Sequence, residues 1–317
     1  MPFVSIIVPT HNRPDMLREA VESALAQSFQ DFEIIVVLNG ASADAVAMAD
    51  RLRGTPRVRI VEMEDSTLAA ARNFGLTFAA GEWIAFLDDD DIWLPDKLEV
   101  QLAAAKAADA DVVTCNFSTF NRDGDLPTTG LTPLPPGLSF AEALMLGNYV
   151  SGGSALIVRA AAVRKLGGFD ASLRGCEDWD MWRRLSWDAK FFCVDRALVR
   201  YRRHGTNMTG NLDLTLQAEA QHFAKLLVDT PAKLRHMMPA AKRRYFRILL
   251  HNLTAQGALD GTGTHLYQIG FAVYRIMSKA TGGLSGRLFR GLRAALTRDR
   301  AKAPAPQRPV GDQERLR

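Results

Sequence analysis

Residues 3–38 read FVSIIVPTHNRPDMLREAVESALAQSFQDFEIIVVL. The β-rich apolar run Phe3–Val8 predicts a strand, and Glu33–Leu38 predicts a second one. Between them, Pro14–Ala26 has apolar residues at helical spacing and begins with a proline, which is favoured in the first turn of a helix. A strand, a helix and a strand in this order predict two parallel strands joined by a right-handed crossover.

The same alternation continues to residue 115. It predicts an α/β fold with a Rossmann-like, mostly parallel sheet flanked by helices. Ligands of such sheets bind at the carboxyl ends of the strands, so the loops after Val8, Leu38 and Leu87 are where we expect the chemistry. We expect Ser66 to cap the helix that it begins. The further predicted strands are Val58–Val61, Trp83–Leu87 and Asp111–Cys115, and the further predicted helices are Ala43–Leu52, Ser66–Ala79 and Pro95–Ala107.

The pattern is less regular beyond the loop Asp123–Gly137, which is rich in Pro, Thr and Gly. From Leu214 onward the sequence pattern predicts mainly helix and the chain is increasingly basic, and its last residues have the composition of a disordered segment. We therefore expect a first domain over residues 1–213, a helical C-terminal region over 214–302 and a disordered tail over 303–317. The predicted elements between are helices Phe140–Leu146 and Trp179–Trp187, and strands Ala155–Val158 and Phe191–Val199.

Charge is unevenly distributed along the chain. The 317 residues have a formal net charge of +4, but residues 231–317 hold 17 Lys and Arg against 4 Asp and Glu, which leaves residues 1–230 acidic. An acidic body with a basic C-terminal region predicts two parts with different partners. The sequence has no run of about 18 apolar residues, no basic segment of a signal peptide, and three scattered cysteines. We therefore expect a cytoplasmic protein.

Four consecutive aspartates, Asp88–Asp91, directly follow the apolar run IAFL. Clustered carboxylates raise each other's pKa unless a cation neutralises them. A hard divalent ion such as Mg²⁺ or Mn²⁺ suits both these oxygens and those of a diphosphate, so the run indicates a metal site. The alternative is that Asp91 caps the helix predicted from Pro95, although one cap needs only one aspartate.

Two further places carry charged residues of interest. Glu177 and Asp178 follow a Gly-rich turn, where adjacent carboxylates can present a general base to a substrate; a solvated helix N-terminus explains them equally well. Arg72 lies in an otherwise apolar helix, where it either binds a phosphate or faces solvent. Neither GxGxxG after the first strand nor GxxxxGK[ST] occurs, which counts against dinucleotide dehydrogenases and P-loop enzymes.

Five motifs in order resemble the inverting family 2 glycosyltransferases, which have the GT-A fold. The motifs are VSIIVPTHNR, EIIVVLNGAS, AAARNFGLTFAAGEWIAFLDDDDIW, GGFDASLRGCEDWDMWRRL and YRRHGTN, and they cover about residues 3–210. The resemblance implies that residues 1–213 are a catalytic domain that moves a sugar from a nucleotide-diphosphate sugar to an acceptor hydroxyl, with a Mg²⁺ or Mn²⁺ cofactor. It also implies a role in bacterial surface polysaccharide or glycolipid synthesis.

The resemblance further assigns roles to individual residues. The acidic run corresponds to the family's DxD motif, in which Asp90 would be the metal ligand, and Asp178 would be the catalytic base. His204 falls where some relatives have a further metal or diphosphate contact, with a structural histidine as the alternative. The implied nucleotide-sugar contacts are Pro9, Thr10, Arg13, Arg72, Asp88 and Asp89, and the implied acceptor contacts are Glu177, Trp179 and Gly153 in the turn 151–153.

One position departs from the family pattern. After the second strand the family usually has an aspartate that accepts a hydrogen bond from the nucleotide base. Here that position is Leu38, whose side chain cannot accept one. Backbone groups or Asn39 would then read the base, or the base would differ from the family's common uridine.

Two other classes of protein fit part of the pattern. A nucleotidyltransferase also uses a metal-bound nucleotide on an α/β sheet, but it usually needs a Gly-rich, basic phosphate loop after its first strand, and THNRPDM is a poor one. A catalytically silent nucleotide-sugar-binding module on the same fold would tolerate Leu38, but it has no chemical need for both carboxylate motifs.

The basic C-terminal region contains a predicted amphipathic helix, Leu284–Arg298. At about 100° per residue its leucines fall on one side and its arginines largely on the other. Because acceptors of such enzymes are glycans or lipid-linked molecules, we interpret the segment as a dock on anionic lipid at the inner face of the membrane. The alternative is that its leucines pack on the catalytic domain or on a second subunit. Nucleic acid is a poorer partner, since the acidic body would repel a polyanion.

Overall fold

A computed structural model of the chain describes residues 1–128, 130–150, 152–205, 207 and 212–245. The predictions for residues 246–317, which include the disordered tail and the amphipathic helix Leu284–Arg298, lie outside the described residues. The described strands are β1 (Val4–Thr10), β2 (Phe32–Asn39), β3 (Val58–Met63), β4 (Trp83–Phe86), β5 (Ile92–Trp93), β6 (Val112–Asn121), β7 (Gly124–Leu126), β8 (Leu156–Arg159) and β9 (Phe191–Arg202). The described α-helices are α1 (Pro14–Leu25), α2 (Ala43–Leu52), α3 (Leu68–Phe78), α4 (Lys97–Ala108), α5 (Phe140–Leu144), α6 (Ala160–Leu166), α7 (Glu177–Leu185) and α8 (Leu212–Asp229).

The first four long strands form the parallel half of the sheet. The strand order is β3-β2-β1-β4-β8-β6-β9-β5, with β7 paired to β6. β1 is parallel to both β2 and β4, and β2 is parallel to β3. Every residue of β1 is buried, because helices cover both faces of the sheet and leave an apolar run no solvated side. The predicted α/β fold and its parallel strands are confirmed.

The second half of the sheet is mixed. β8 pairs antiparallel with both β4 and β6, so it is inserted between two strands that run in the same direction. β6 is parallel to β9, and β5 is antiparallel to β9. The sequence predicted that Asp111–Cys115 would continue the parallel series, whereas this strand pairs through β8 and extends to Asn121.

Two helices begin later than predicted. The N-cap of α3 is Thr67 rather than Ser66, and its hydroxyl accepts a hydrogen bond from the backbone N–H of Ala70. α4 begins at Lys97, because β5 pairs with β9, and Leu94 and Pro95 then make backbone hydrogen bonds outside the helix, to Leu198 and Ser28. Asp91 therefore caps no helix; its carboxylate accepts a hydrogen bond of 3.2 Å from the backbone N–H of Arg202.

The C-terminal helices pack on the sheet domain through a small apolar cluster and buried ion pairs. The fully buried guanidinium of Arg183 in α7 donates to Asp180 and to both carboxylate oxygens of Asp229 in α8, each at 2.9 Å. Residues 238–245 are helical, and within the described part of the chain no helix has the length and apolarity to cross a membrane. The cluster comprises Met145, Ala220, Phe223, Leu226, Leu234, Met237, Ala241 and Tyr245.

Candidate active site

Two adjoining clefts open at the carboxyl edge of the parallel strands. The first cleft, of about 640 Å³, lies among the loops after β1, β2 and β3 and is lined by Pro9, Thr10, His11, Asn39 and Asp65–Leu68. The second cleft, of about 490 Å³, extends from Asp88 and Asp90 to the start of α7 and to α8. Both volumes are in the range of small-molecule sites. The sequence placed the chemistry at this edge, and the clefts lie there.

The loop after β1 binds the acidic run through Asp89. The Thr10 hydroxyl donates to the Asp89 carboxylate at 2.7 Å, and Arg13 donates to it at 2.9 Å. Burial raises the pKa of Asp89 to about 6, while Arg13 and Thr10 favour its ionised form. Pro9 lines both clefts beside this pair. The fold therefore brings together the predicted nucleotide contacts of this loop, Pro9, Thr10 and Arg13. The guanidinium of Arg13 already forms ion pairs with Asp89 and Asp90.

Asp90 lines the second cleft and lies against His204. Nε2 of His204 lies 3.0 Å from Oδ2 of Asp90, and Arg13 donates to the same oxygen at 2.7 Å. Among the described residues no three His, Cys, Asp or Glu side chains gather as a ready metal site. One carboxylate and one imidazole beside an open cleft nevertheless fit a divalent ion that takes its remaining ligands from a diphosphate.

Arg72 is a buried link between the acidic run and the start of α7. It is 2% exposed and donates to Asp88 at 2.7 Å and to Glu177 at 2.8 Å. Burial alone would lower the pKa of Arg72, but the two carboxylates raise it above its ordinary value, so the guanidinium stays charged. The alternative of a solvent-facing arginine is wrong, because the side chain is buried; contact with a phosphate of the nucleotide stays a prediction.

Asp178 lies in the first turn of α7 and faces the second cleft. Cys176, two residues before Asp178, has φ of 54°. This left-handed conformation is unfavourable for a residue that carries a side chain, and it turns the chain sharply into the helix. Burial raises the pKa of Asp178 to about 7, and the adjacent Glu177 carboxylate adds to the rise, while Arg72 opposes it. A carboxylate with a pKa near neutrality suits a general base.

The predicted acceptor residues do not all reach the cleft. Trp179 lines it, with its indole N–H donating to the Leu144 carbonyl at 2.7 Å and its ring stacked on His222. Gly153 is buried behind Arg72, and a Cβ there would lie 3.1 Å from Nη2 of that residue. Gly152, rather than Gly153, lines the cleft, and the predicted neighbour Ser151 lies outside the described residues.

The first cleft shows how the departure at Leu38 is accommodated. Leu38 points into the core and is 1% exposed. The side-chain amide of Asn39 donates to the Ser66 carbonyl and accepts from the Ser66 N–H, both at 2.9 Å, so base recognition by this amide stays a prediction that requires those bonds to break. Asp65, which the sequence analysis missed, is an exposed carboxylate on the wall of the same cleft.

Other residues in and next to the clefts were also missed. Ser154 accepts a hydrogen bond from the backbone N–H of Asp88 at 3.0 Å and so fixes the acidic run. Arg174 lines both clefts, and Glu219 and Arg244 bring the C-terminal helices to the second cleft. Only Arg174 had a signal in the sequence, since it stands three residues before Glu177 in a Gly-rich turn.

The fold and the site define an α/β protein whose ligand site, rich in carboxylates, lies at the carboxyl edge of its parallel strands. The sequence model of glycosyl transferase family 2 matches residues 5–166, just over half of the chain. The chain therefore belongs to glycosyl transferase family 2, as the five motifs predicted.

Relatives in sequence agree with this assignment, and solved structures share the fold. An uncharacterized glycosyltransferase of Rickettsia typhi is 27% identical over 216 residues, which are 66% of each chain. Chondroitin synthase of Pasteurella multocida is 29% identical over 218 residues, 67% of this chain and 22% of that protein, so the chain spans about two thirds of the first relative's length and less than a quarter of the second's. TarS 1–349 of S. aureus in complex with UDP-GlcNAc has a TM-score of 0.71 at 19% identity, over 94% of this chain and 88% of that one. The mannosyltransferase PcManGT of Pyrobaculum calidifontis in complex with GDP-Man and Mn²⁺ has a TM-score of 0.56 at 19% identity, over 95% and 80%.

Proposed function

We propose that this family 2 glycosyltransferase moves a sugar from a nucleotide-diphosphate sugar to an acceptor hydroxyl with inversion at the anomeric carbon. The observation that carries the proposal is the Arg72 bridge, which joins Asp88 on the donor side to Glu177, the neighbour of Asp178, on the acceptor side. It holds the acidic run next to the start of α7, and Asp88 and the candidate base Asp178 both line the second cleft. An in-line displacement needs this arrangement of acceptor and leaving group.

Asp178 is the proposed base. The acceptor hydroxyl must lose a proton as it attacks the anomeric carbon, and a carboxylate with a pKa of about 7 accepts that proton at neutral pH. Asn148 lies 3.5 Å from the second oxygen of Asp178, and the backbone N–H of Trp179 donates to the first, so the carboxylate is oriented. Glu177 is held by Arg72, which leaves Asp178 the freer of the pair.

The donor is proposed to bind with its nucleoside in the first cleft and its diphosphate at the boundary of the two clefts. Complexes of fold neighbours with UDP-GlcNAc and with GDP-Man and Mn²⁺ support this kind of ligand. Asp90 and His204 would hold a Mg²⁺ or Mn²⁺ ion, which when bound neutralises charge on the leaving diphosphate. The proposed donor contacts are those that the sequence predicted, which are Pro9, Thr10, Arg13, Asn39, Arg72, Asp88 and Asp89.

The acceptor is proposed to be a glycan or a lipid-linked molecule of bacterial surface polysaccharide or glycolipid synthesis. The similarity to a chondroitin synthase supports a polysaccharide.

Docking of residues 284–298 on anionic membrane is a separate proposal that rests on the sequence pattern. It is tested by flotation with anionic liposomes in low and high salt, comparing the full chain with a chain ending at Gly283. Equal flotation of the two chains would contradict it.

The experiment that tests the proposed function is turnover with pooled nucleotide sugars and a panel of glycan acceptors. We expect release of a nucleoside diphosphate, and a product whose anomeric configuration, read by NMR, is inverted. Release of pyrophosphate would instead identify the nucleotidyltransferase alternative. Tight binding of a nucleotide sugar without turnover over the whole panel would identify a silent binding module.

A further inference from the structure

The boundary between the two clefts is where any ligand that spans them must pass. The charged side chains that line both clefts are Arg13, Asp89, Arg174 and Glu177. Two cations of the site are already committed, because Arg13 binds Asp89 and Asp90 while Arg72 binds Asp88 and Glu177. Arg174 is the remaining boundary cation.

The guanidinium of Arg174 is uncommitted. Within the described part of the chain it makes no hydrogen bond and no ion pair, and its side chain is exposed. The backbone around it is nevertheless fixed. Leu173 is buried, a Cβ at Gly175 would lie 2.8 Å from the Cβ of Ala218, and Cys176 adopts its left-handed turn. The fold therefore holds this residue at the boundary and leaves its head group free.

Carboxylates outnumber guanidinium groups at the boundary even before a ligand arrives. Asp88, Asp89, Asp90 and Glu177 pair with two guanidinium groups, those of Arg13 and Arg72, and the imidazole of His204 lies 3.0 Å from Asp90. A diphosphate adds further negative charge, so its binding needs cations that are not already neutralised. The planar guanidinium suits phosphate oxygens, to which it donates two parallel hydrogen bonds.

We propose that Arg174 binds the diphosphate of the donor and stabilises the nucleoside diphosphate as it leaves. This inference rests on the proposed function and names a residue that acts on the donor. In the ground state Arg174 raises the affinity for the donor. In the transition state it stabilises the leaving group more strongly, because negative charge on the diphosphate grows as the glycosidic bond breaks.

The test compares Arg174→Gln and Arg174→Lys with Arg122→Gln, a control at an arginine that is 93% exposed and outside both clefts. The probes are UDP and GDP with their nucleosides, uridine and guanosine, measured by calorimetry at low and high salt. We expect Arg174→Gln to weaken binding of the preferred diphosphate by about 10- to 100-fold while the nucleoside binds as in the unchanged protein. The affinity of Arg174→Lys for the diphosphate should lie between those of the unchanged protein and Arg174→Gln. The turnover of the three proteins should fall in the same order.

Three results would overturn the inference. Diphosphate binding by Arg174→Gln equal to that of Arg122→Gln would remove Arg174 from the donor site. Equal weakening of diphosphate and nucleoside would indicate a general loss of the cleft. A change confined to the KM of an acceptor would assign Arg174 to the acceptor. If the unchanged protein binds no nucleotide and turns over no nucleotide sugar, the proposed function itself fails; if it does both and only the Arg174 variants behave as the control, the inference alone fails.

Discussion

The pH dependence of transfer should respond to the charge of Glu177. The pKa of Asp178 is raised to about 7 by burial and then by the Glu177 carboxylate. Glu177→Gln removes that charge but keeps a side-chain oxygen. This oxygen can accept the hydrogen bond that Arg72 donates to Glu177 at 2.8 Å in the unchanged protein. Because a base must be ionised to accept a proton, activity falls as the pH drops through the pKa of Asp178. Lowering that pKa moves the acidic limb of the profile to lower pH.

The size of the shift follows from the charges involved. At an effective dielectric constant of about 20, two like charges about 6 Å apart repel by about 3 kcal/mol, which corresponds to about 2 pKa units. Arg72 lies against Glu177 and already offsets part of its charge, so we expect a shift of about 1 unit. At pH 6 the ionised fraction of Asp178 would then rise about fivefold relative to the unchanged protein.

The assay is kcat/KM against pH, measured by release of nucleoside diphosphate between pH 5 and 9. Glu22→Gln serves as the control, since Glu22 is exposed on α1 and pairs only with Arg18 among the described residues. Its profile should match that of the unchanged protein. An acidic limb that stays in place in Glu177→Gln, or moves to higher pH, would refute the electrostatic account of the base.

Three further changes test other parts of the site. Asp90→Ala is expected to abolish transfer and weaken nucleoside diphosphate binding, and near-normal activity in excess chelator would contradict the metal site. Gly153→Ala places a Cβ 3.1 Å from a nitrogen of Arg72, whereas Gly152→Ala meets nothing within 4 Å. We expect the first to lower turnover and cost about 1–3 kcal/mol of stability and the second to behave as the unchanged protein; similar behaviour of both in turnover and urea unfolding would refute the packing argument. Asn39→Ala removes two hydrogen bonds to the loop before α3, and urea unfolding should show a loss of about 1–3 kcal/mol, with an unchanged midpoint as the contrary result.

Local patterns were sufficient for the parallel half of the fold. Strands buried on both faces read as continuous apolar runs, which is why β1 to β4 were found, and α2 has its predicted bounds, Ala43–Leu52. The antiparallel insertion of β8 could not be predicted, because pairing between distant strands leaves no local pattern. β5 has only two residues, which are too few to show the alternating pattern of a strand. Because β5 was not predicted, the predicted start of α4 was two residues too early.

In the candidate site too, the features with a local sequence pattern were predicted, and those that depend on contacts between distant residues were not. The acidic run and the pair Glu177–Asp178 were visible because several charges stand together after apolar segments. The role of Arg72 was not visible, since its partners lie 16 and 105 residues away and a buried ion pair has no signature in either segment. The C-terminal helices contribute Glu219 to the second cleft, and only the folded chain brings it there.

The base assignment is tested most directly by turnover and donor binding of Asp178→Asn. Asparagine is nearly isosteric but cannot take the proton, so we predict a loss of turnover on the order of 10²–10⁴ with nucleoside diphosphate binding unchanged. Near-normal turnover by Asp178→Asn together with an inactive Glu177→Gln would contradict the account and assign the base to the neighbouring carboxylate.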